Sequence, residues 1–219
     1  MISPAVARSQ VVLYSHRLHA AGFVANHDGN VSVRLPGDRL VITPTSYSKA
    51  AVDDASLVIC GLDGKILEGR RKPPSELQLH LAVYRARPEV GAVIHAHPPT
   101  ASGFGVAGVS LEVSAMPELV VSLGPGVPTV PFAMPKSAAA EQGVTACAKE
   151  RDAMLLAGNG ALTLGDDLEQ AFLRMELLEH HARIVLVAIQ LGGPRELSAE
   201  QRDQMAKARV FAGLGPRKA

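Results

Sequence analysis

The chain has no tryptophan, and aromatic residues make up only 4% of it. A core of any size must therefore be filled by Ala, Val and Leu. There are two cysteines, Cys60 and Cys147, far apart and in no metal-type spacing. That excludes a disulfide framework, and two reduced, partly buried thiols are expected. No apolar run reaches the roughly 18 residues that a membrane-spanning helix needs. The chain does not open with a basic region followed by an apolar run, so no signal peptide is expected and the cytoplasm is the expected location. An excess of charge of one sign is also lacking. Lys plus Arg number 22 and Asp plus Glu 21, a net charge of +1. This argues against nucleic acid or an anionic membrane as the main partner and leaves any anion recognition to a local site. What remains is 219 residues, 47% of them hydrophobic, which suits one domain with a sizeable core.

Hydrophobic spacing predicts a helix over residues 4–22, closed by Gly22. Two β-like runs follow, 31–35 and 39–43, joined by Pro36-Gly37-Asp38, a hairpin signal. A third run at 57–60 leads into Asp63-Gly64. Pro74 and Ser75 open a predicted helix over 75–87, and 90–94 reads as a buried strand running into His95-Ala96-His97. Residues 99–108 are small and mixed, and short runs follow at 109–114, 119–122 and 128–132. An Ala-rich helix is expected over 137–150. Strand candidates Met154–Leu156 and Ala161–Leu164 flank Gly158-Asn159-Gly160. The longest helical pattern spans 167–191, and Ser198 with Gln201 is a capping box for a short last helix. Helices alternating with many short strands imply one layered α/β domain.

Three groups of residues carry chemistry. In a strand, residues i and i+2 share a face, so His95 and His97 converge on one point, an arrangement suited to a divalent transition metal. The alternative is two unrelated polar residues at a strand end. Glu76 and His80 are i and i+4 on the predicted helix, with Glu76 in the first turn, where a carboxylate is favoured. For His80 taken alone, a solvated surface residue is the better reading. Asp28-Gly29-Asn30-Val31-Ser32 and Thr43-Pro44-Thr45-Ser46 are turns whose N–H groups and hydroxyls can hold an anion, and Ser75 adds a hydroxyl at a helix N-terminus.

Gly29-Asn30-Val31-Ser32, Ile42-Thr43-Pro44-Thr45, Pro74-Ser75-Glu76 and His95-Ala96-His97 occur in the order and rough spacing of the class II aldolase/adducin family, which the chain resembles over about residues 7–190. The resemblance implies a three-layer α/β/α fold with a mixed, mostly antiparallel central sheet. It implies one domain over 1–219, with a C-terminal helical tail at about 195–219. It also implies a homotetramer with active sites at subunit interfaces. By the same resemblance His95 and His97 bind a divalent metal, zinc first and manganese second. Glu76 is then the catalytic base and a possible ligand. Asn30, Thr45, Ser46 and Ser75 hold the phosphate of a small-molecule substrate. The expected activity is metal-dependent aldol cleavage of a small sugar phosphate, or a related hydroxy-carbonyl compound, through a metal-stabilised enediolate. The alternatives are 4-epimerisation, decarboxylation or a non-catalytic adducin-like interaction domain.

The sequence departs from the family pattern in three places. Asn159 stands where a third metal histidine is expected, and an amide oxygen is a poorer zinc ligand than imidazole. Pro74 replaces the first of two serines. Met116 lies near the place of a proton-donating Tyr, with Glu118 as a replacement donor or, more simply, a solvated carboxylate. His180 or His181, on the long helix, is expected either to supply the third ligand or to lie at a surface or interface. His180, oriented by Glu179, is the preferred ligand.

Overall fold

The computed structural model describes residues 2–216, so the ends of the expected 1–219 domain, residue 1 and residues 217–219, lie outside the described residues. The chain runs α1 (Pro4–Ala20), β1 (Asn30–Leu35), β2 (Arg39–Ile42), β3 (Val58–Gly61), β4 (Ile66–Glu68), α2 (Leu77–Ala86), β5 (Ala92–Ala96), α3 (Pro99–Ala107), α4 (Pro117–Ser122), β6 (Thr129–Val130), α5 (Ala138–Ala148), β7 (Ala153–Leu156), β8 (Ala161–Gly165), α6 (Leu168–Gln190) and α7 (Ala199–Phe211). The strands form a sheet in the order β4-β3-β2-β1-β5-β8-β7-β6. All neighbours pair antiparallel except β6 with β7. The expected mixed, mostly antiparallel sheet is therefore present.

Alternation along the strands sends side chains to both faces. On one face Val31, Val33, Ile94 and Leu155 pack with Val11 and Leu18 of α1, Phe104 of α3, Leu119 of α4 and Phe172 and Met175 of α6. On the other, Leu40, Ile42, Val93 and Leu162 pack with Leu81 and Tyr84 of α2 and Val144 of α5. Helices thus cover both faces, as a three-layer α/β/α domain requires. Cys60 and Cys147 are free thiols, one buried and one half-buried, and burial pushes both up to about 11, which favours the protonated thiol.

Three stretches differ from the expectations. The small, mixed residues 99–108 form α3, with Pro99 at its first position and Gly108 closing it at φ +67. Gly103 and Gly105 interrupt the apolar period; Gly105 lets the helix approach the Leu156 carbonyl. The run 119–122 is helical, because Pro117 starts α4 and Leu119 and Val120 share a buried face. The run 109–114 contributes only an isolated bridge, Leu111 to Val127.

Asp152, fully buried before β7, receives Arg87 Nη1 at 2.6 Å, Arg174 Nη2 at 3.0 Å and Arg209 Nη2. Arg209 also donates to the Val121 and Ser122 carbonyls at 2.8 and 2.6 Å. One carboxylate thus ties α2, α6 and α7 to the sheet edge. Such a buried centre is strongly destabilising to break.

His181 on α6 is fully buried, and neither ring nitrogen has a partner among the described residues. Burial first, and the adjacent His180 second, push its pKa down to about 4. An unfolded histidine titrates near 6.5, so between those values the unfolded chain holds a proton that the folded chain lacks. Stability therefore falls as pH drops from about 6.5 toward about 4, by roughly 2 kcal/mol between pH 7 and 5 for one such group. The urea midpoint is expected to fall over that interval, and the fall should shrink in His181→Leu. An unchanged fall in the variant would show that His181 takes up its proton without cost.

Candidate active site

The site begins with a register. β1 pairs with β5 so that Asn30 lies directly opposite His95. The turn before β1 is held by the Ala25 N–H donating to Asp28 Oδ1 at 2.7 Å. Gly29 follows at φ +69, where a Cβ would meet the His95 carbonyl oxygen at 2.9 Å. Only glycine lets the turn lie that close to β5. Glu76 stands at the N-cap position of α2, where its side chain makes no capping hydrogen bond and turns instead to Asn30 of β1.

A chain of hydrogen bonds runs inward from Glu76. The Ser75 hydroxyl and the Asn30 amide both donate to Glu76 Oε2, at 2.8 and 3.2 Å. His80 Nε2 meets Asn30 Oδ1, its Nδ1 meets Ser32 Oγ at 2.7 Å, and Ser32 Oγ meets Tyr84 Oη at 2.8 Å. His80 and Tyr84 are almost fully buried. Burial, and then the nearby His95, push His80 down to about 3, so its ring is neutral. The directions follow. The carboxylate only accepts, so Asn30 donates its amide; Asn30 Oδ1 must then accept, so His80 carries its proton on Nε2. Nδ1 accepts from Ser32, and Ser32 accepts from Tyr84. The expectation of a solvated His80 is thus corrected: Asn30 and Ser32, two apart on β1, draw it into the core.

His95 is buried, and its Nε2–H donates to the Asn159 carbonyl at 2.9 Å. That leaves Nδ1 a buried lone pair with no partner among the described residues. The His95 and His97 rings stand edge-on, their centroids 5.0 Å apart. Burial first and His97 second push His95 down to about 4, so it is neutral, as a metal ligand must be. Asn159 lies on the β7–β8 turn, which folds onto the histidine pair. Gly160, at φ +67, is in contact range of the Ala96 carbonyl and the His97 ring.

A divalent ion fits this place in part. Two imidazoles, one of them with an orphaned buried nitrogen, and the Glu76 carboxylate nearby are suitable donors. A third imidazole is missing, and among the described residues no group of three or more His, Cys, Asp or Glu side chains is arranged to hold a metal. His180 does not fill the gap in this chain, which corrects the preferred third ligand. It is exposed on α6 and lines a separate groove with Glu118 and Asp167. Glu179 turns the other way and caps α3, accepting from the Thr100 and Ala101 N–H groups at 3.0 and 2.9 Å, so it does not orient His180.

Of the expected anion residues, Asn30 and Ser75 meet at Glu76. Thr45 and Ser46 lie on the turn after β2, whose Thr45 N–H donates to the Lys72 carbonyl at 3.0 Å. Beside Glu76 opens a narrow cleft of about 130 Å³, lined by Ser75, Glu76, Leu79, Phe132, Lys136 and Asn159 among others. Sequence reasoning missed the part that Ser32 and Tyr84 play behind His80. The spacing Glu76, His80, Tyr84 on α2, each four residues apart, was the signal that could have found Tyr84.

The family model for the class II aldolase and adducin N-terminal domain matches residues 9–186. The chain is 30% identical over 213 residues to the 5-deoxy-D-ribulose 1-phosphate aldolase of Bacillus thuringiensis serovar kurstaki, covering 95% of this chain and 96% of that one. It is 29% identical to the 3-oxo-tetronate 4-phosphate decarboxylase of Escherichia coli, covering 82% and 86%. Among solved structures, an L-fuculose 1-phosphate aldolase superposes with a TM-score of 0.88 at 26% identity, covering 97% of this chain and 98% of that one.

The closeness of the β7–β8 turn to the histidines can be tested at Gly160. A Cβ there would collide with the Ala96 carbonyl, whereas one at Gly22, also at positive φ, meets nothing within 4 Å. Both Gly→Ala changes carry a backbone penalty of about 1 kcal/mol. Gly160→Ala is expected to cost roughly 1–3 kcal/mol more, read as a lower thermal midpoint. Equal losses would mean that the turn can lift off the histidines freely.

Proposed function

This chain belongs to the class II aldolase and adducin family and is an aldolase-like lyase; from that premise we propose that it cleaves a small sugar phosphate, or a related hydroxy-carbonyl compound, into two carbonyl fragments. The observation that carries this reading is the meeting of Glu76 with Asn30, opposite His95, at the edge of the cleft. The sugar-phosphate class is supported by the relatives named for 5-deoxy-D-ribulose 1-phosphate and L-fuculose phosphate.

In this reading His95, His97 and Glu76 hold a divalent cation, zinc before manganese. When bound, such an ion supplies a Lewis acid for the charge that cleavage leaves on the substrate oxygen. Glu76 is the base. Its Oε2 already accepts two hydrogen bonds, so Oε1 is the oxygen free to take the proton and return it. Asn30 and Ser75 hold that carboxylate in place and, with Thr45 and Ser46, face the phosphate. The neutral His80–Ser32–Tyr84 chain fixes the Asn30 amide, which orients the base. The protein is further proposed to be a single-domain homotetramer of the cytoplasm. Exposed Val187, Leu191 and Phe211 support assembly, and no helix among the described residues is long and apolar enough to cross a membrane. Decarboxylation is the second reading, favoured by the decarboxylase relative and by Met116 where the aldolase pattern has its Tyr.

Elemental analysis is expected to find about one divalent ion per chain. His95→Ala should lose metal and turnover together. Asn159→His should hold the ion more tightly. Glu76→Gln should keep the fold and metal while turnover on a screened panel of sugar phosphates drops about 10²–10⁴-fold. Unchanged turnover in Glu76→Gln would remove it as the base. Metal gained only in Asn159→His, with no turnover in the wild type, would favour a non-catalytic domain.

A further inference from the structure

Lys49 has no role in the reading above, yet it is 1% exposed. It lies in a short 3-10 turn, Lys49–Ala51, after the Thr43–Ser46 turn. Its ammonium donates to the Tyr47 carbonyl at 2.8 Å and to the His27 carbonyl at 3.2 Å. No carboxylate comes within ion-pair distance of it among the described residues; Asp28 and Glu76 act on it only from farther away. Taking an ammonium out of water without a paired anion is costly, so its burial calls for an explanation. A lysine has three N–H donors, and only two are used here.

The two carbonyls belong to different turns. His27 lies in the turn that delivers Asn30, and Tyr47 closes the turn that carries Thr45 and Ser46. The ammonium therefore joins the two turns assigned to the phosphate. More positive charge borders the second turn from outside. The Arg71 guanidinium stacks over the Tyr47 ring at 4.1 Å. In a chain of net charge +1, cations lie both beneath and beside one turn.

We propose that Lys49 is the buried counter-charge of the substrate's phosphate, a positioning residue that clamps the two anion-holding turns together and makes the site selective for a phosphate monoester dianion. The inference rests on the reading that Asn30, Thr45, Ser46 and Ser75 hold a phosphate.

Inorganic phosphate is the probe, titrated calorimetrically into the full-length wild type, Lys49→Met, Lys49→Gln and Ser75→Ala, with the unliganded thermal midpoint of each recorded. The wild type is expected to bind phosphate. Both Lys49 variants should weaken the Kd tenfold or more, the scale of a lost charge-assisted hydrogen bond. Lys49→Gln keeps amide donors for the two carbonyls, so it isolates the charge and carries the comparison if Lys49→Met does not fold. If the Lys49 variants bind phosphate within about twofold of the wild type while Ser75→Ala weakens it, Lys49 is not the counter-charge and the phosphate site stands. The counter-charge role is equally overturned if they lower only the unliganded midpoint, because that is the mark of a purely structural role. If the wild type takes up no phosphate, the proposal falls together with the phosphate reading.

Discussion

The site depends on the pairing of β1 with β5 in one register. Asn30 lies opposite His95, and on the other side of β5 His95 lies opposite Leu162 and Ala96 opposite Ala161. A slip of one residue would turn His95 to the far face of the sheet. β5 is central and bonded on both sides, so the slip would also break the packing of Ile94 and Val93 on opposite faces. The positions of Asn30, which holds the Glu76 carboxylate, of the histidine pair and of the β7–β8 turn are therefore properties of the sheet. Loops supply only the last contacts: Gly29 against the His95 carbonyl and Gly160 against Ala96.

From that register a direction is imposed on the polar core. A carboxylate at the mouth can only accept, so every donor behind it points outward, from Tyr84 through Ser32, His80 and Asn30 to Glu76. The chain works only while His80 is neutral, and its burial keeps it so. Protonation of His80 would place a donor on Nδ1 facing the Ser32 hydroxyl and force that hydroxyl to reverse. A buried network with one satisfied arrangement holds its end groups more firmly than an exposed one does. The Glu76 carboxylate is thus oriented from within the protein, while its second oxygen stays free for chemistry.

Much of this was legible in the sequence, for reasons that differ by residue. His95, His97, Asn30, Ser75 and Glu76 stood out because short motifs at strand ends and helix starts keep their local geometry in any tertiary setting. The long α6 and the hairpin of β1 and β2 were equally clear from period and turn residues. His80 was misjudged because i, i+4 spacing shows a shared face and not what covers it; the cover comes from β1, distant in sequence. Lys49 gave no signal, since burial of a lysine depends on two carbonyls brought together by the fold. The place of His180, in a separate groove, was hidden for a similar reason. The helix period cannot tell which face of α6 meets the histidine pair, and Glu179, its neighbour, had already been drawn to the N-terminus of α3. The helix α3 was hidden by glycines that suit close packing and blur the apolar period.

The main-chain carbonyl of Asn159 sets the electronic state of the histidine beside it, as the carbonyl of any residue at that place would. The Asn159 carbonyl holds the Nε2–H of His95, which fixes one tautomer and leaves Nδ1 with an open lone pair. A cation arriving at the ring meets a neutral imidazole, because burial has already removed the second proton. Ligation therefore costs no deprotonation of an imidazolium near neutral pH; it costs at most an exchange of tautomer and the release of one carbonyl. The carbonyl belongs to a turn that packs tightly on Ala96 and His97, so its release is opposed by the same contacts that place it there. Ligation through His95 Nε2 would thus require the β7–β8 turn to give up this contact, whereas ligation through Nδ1 would leave the turn in place.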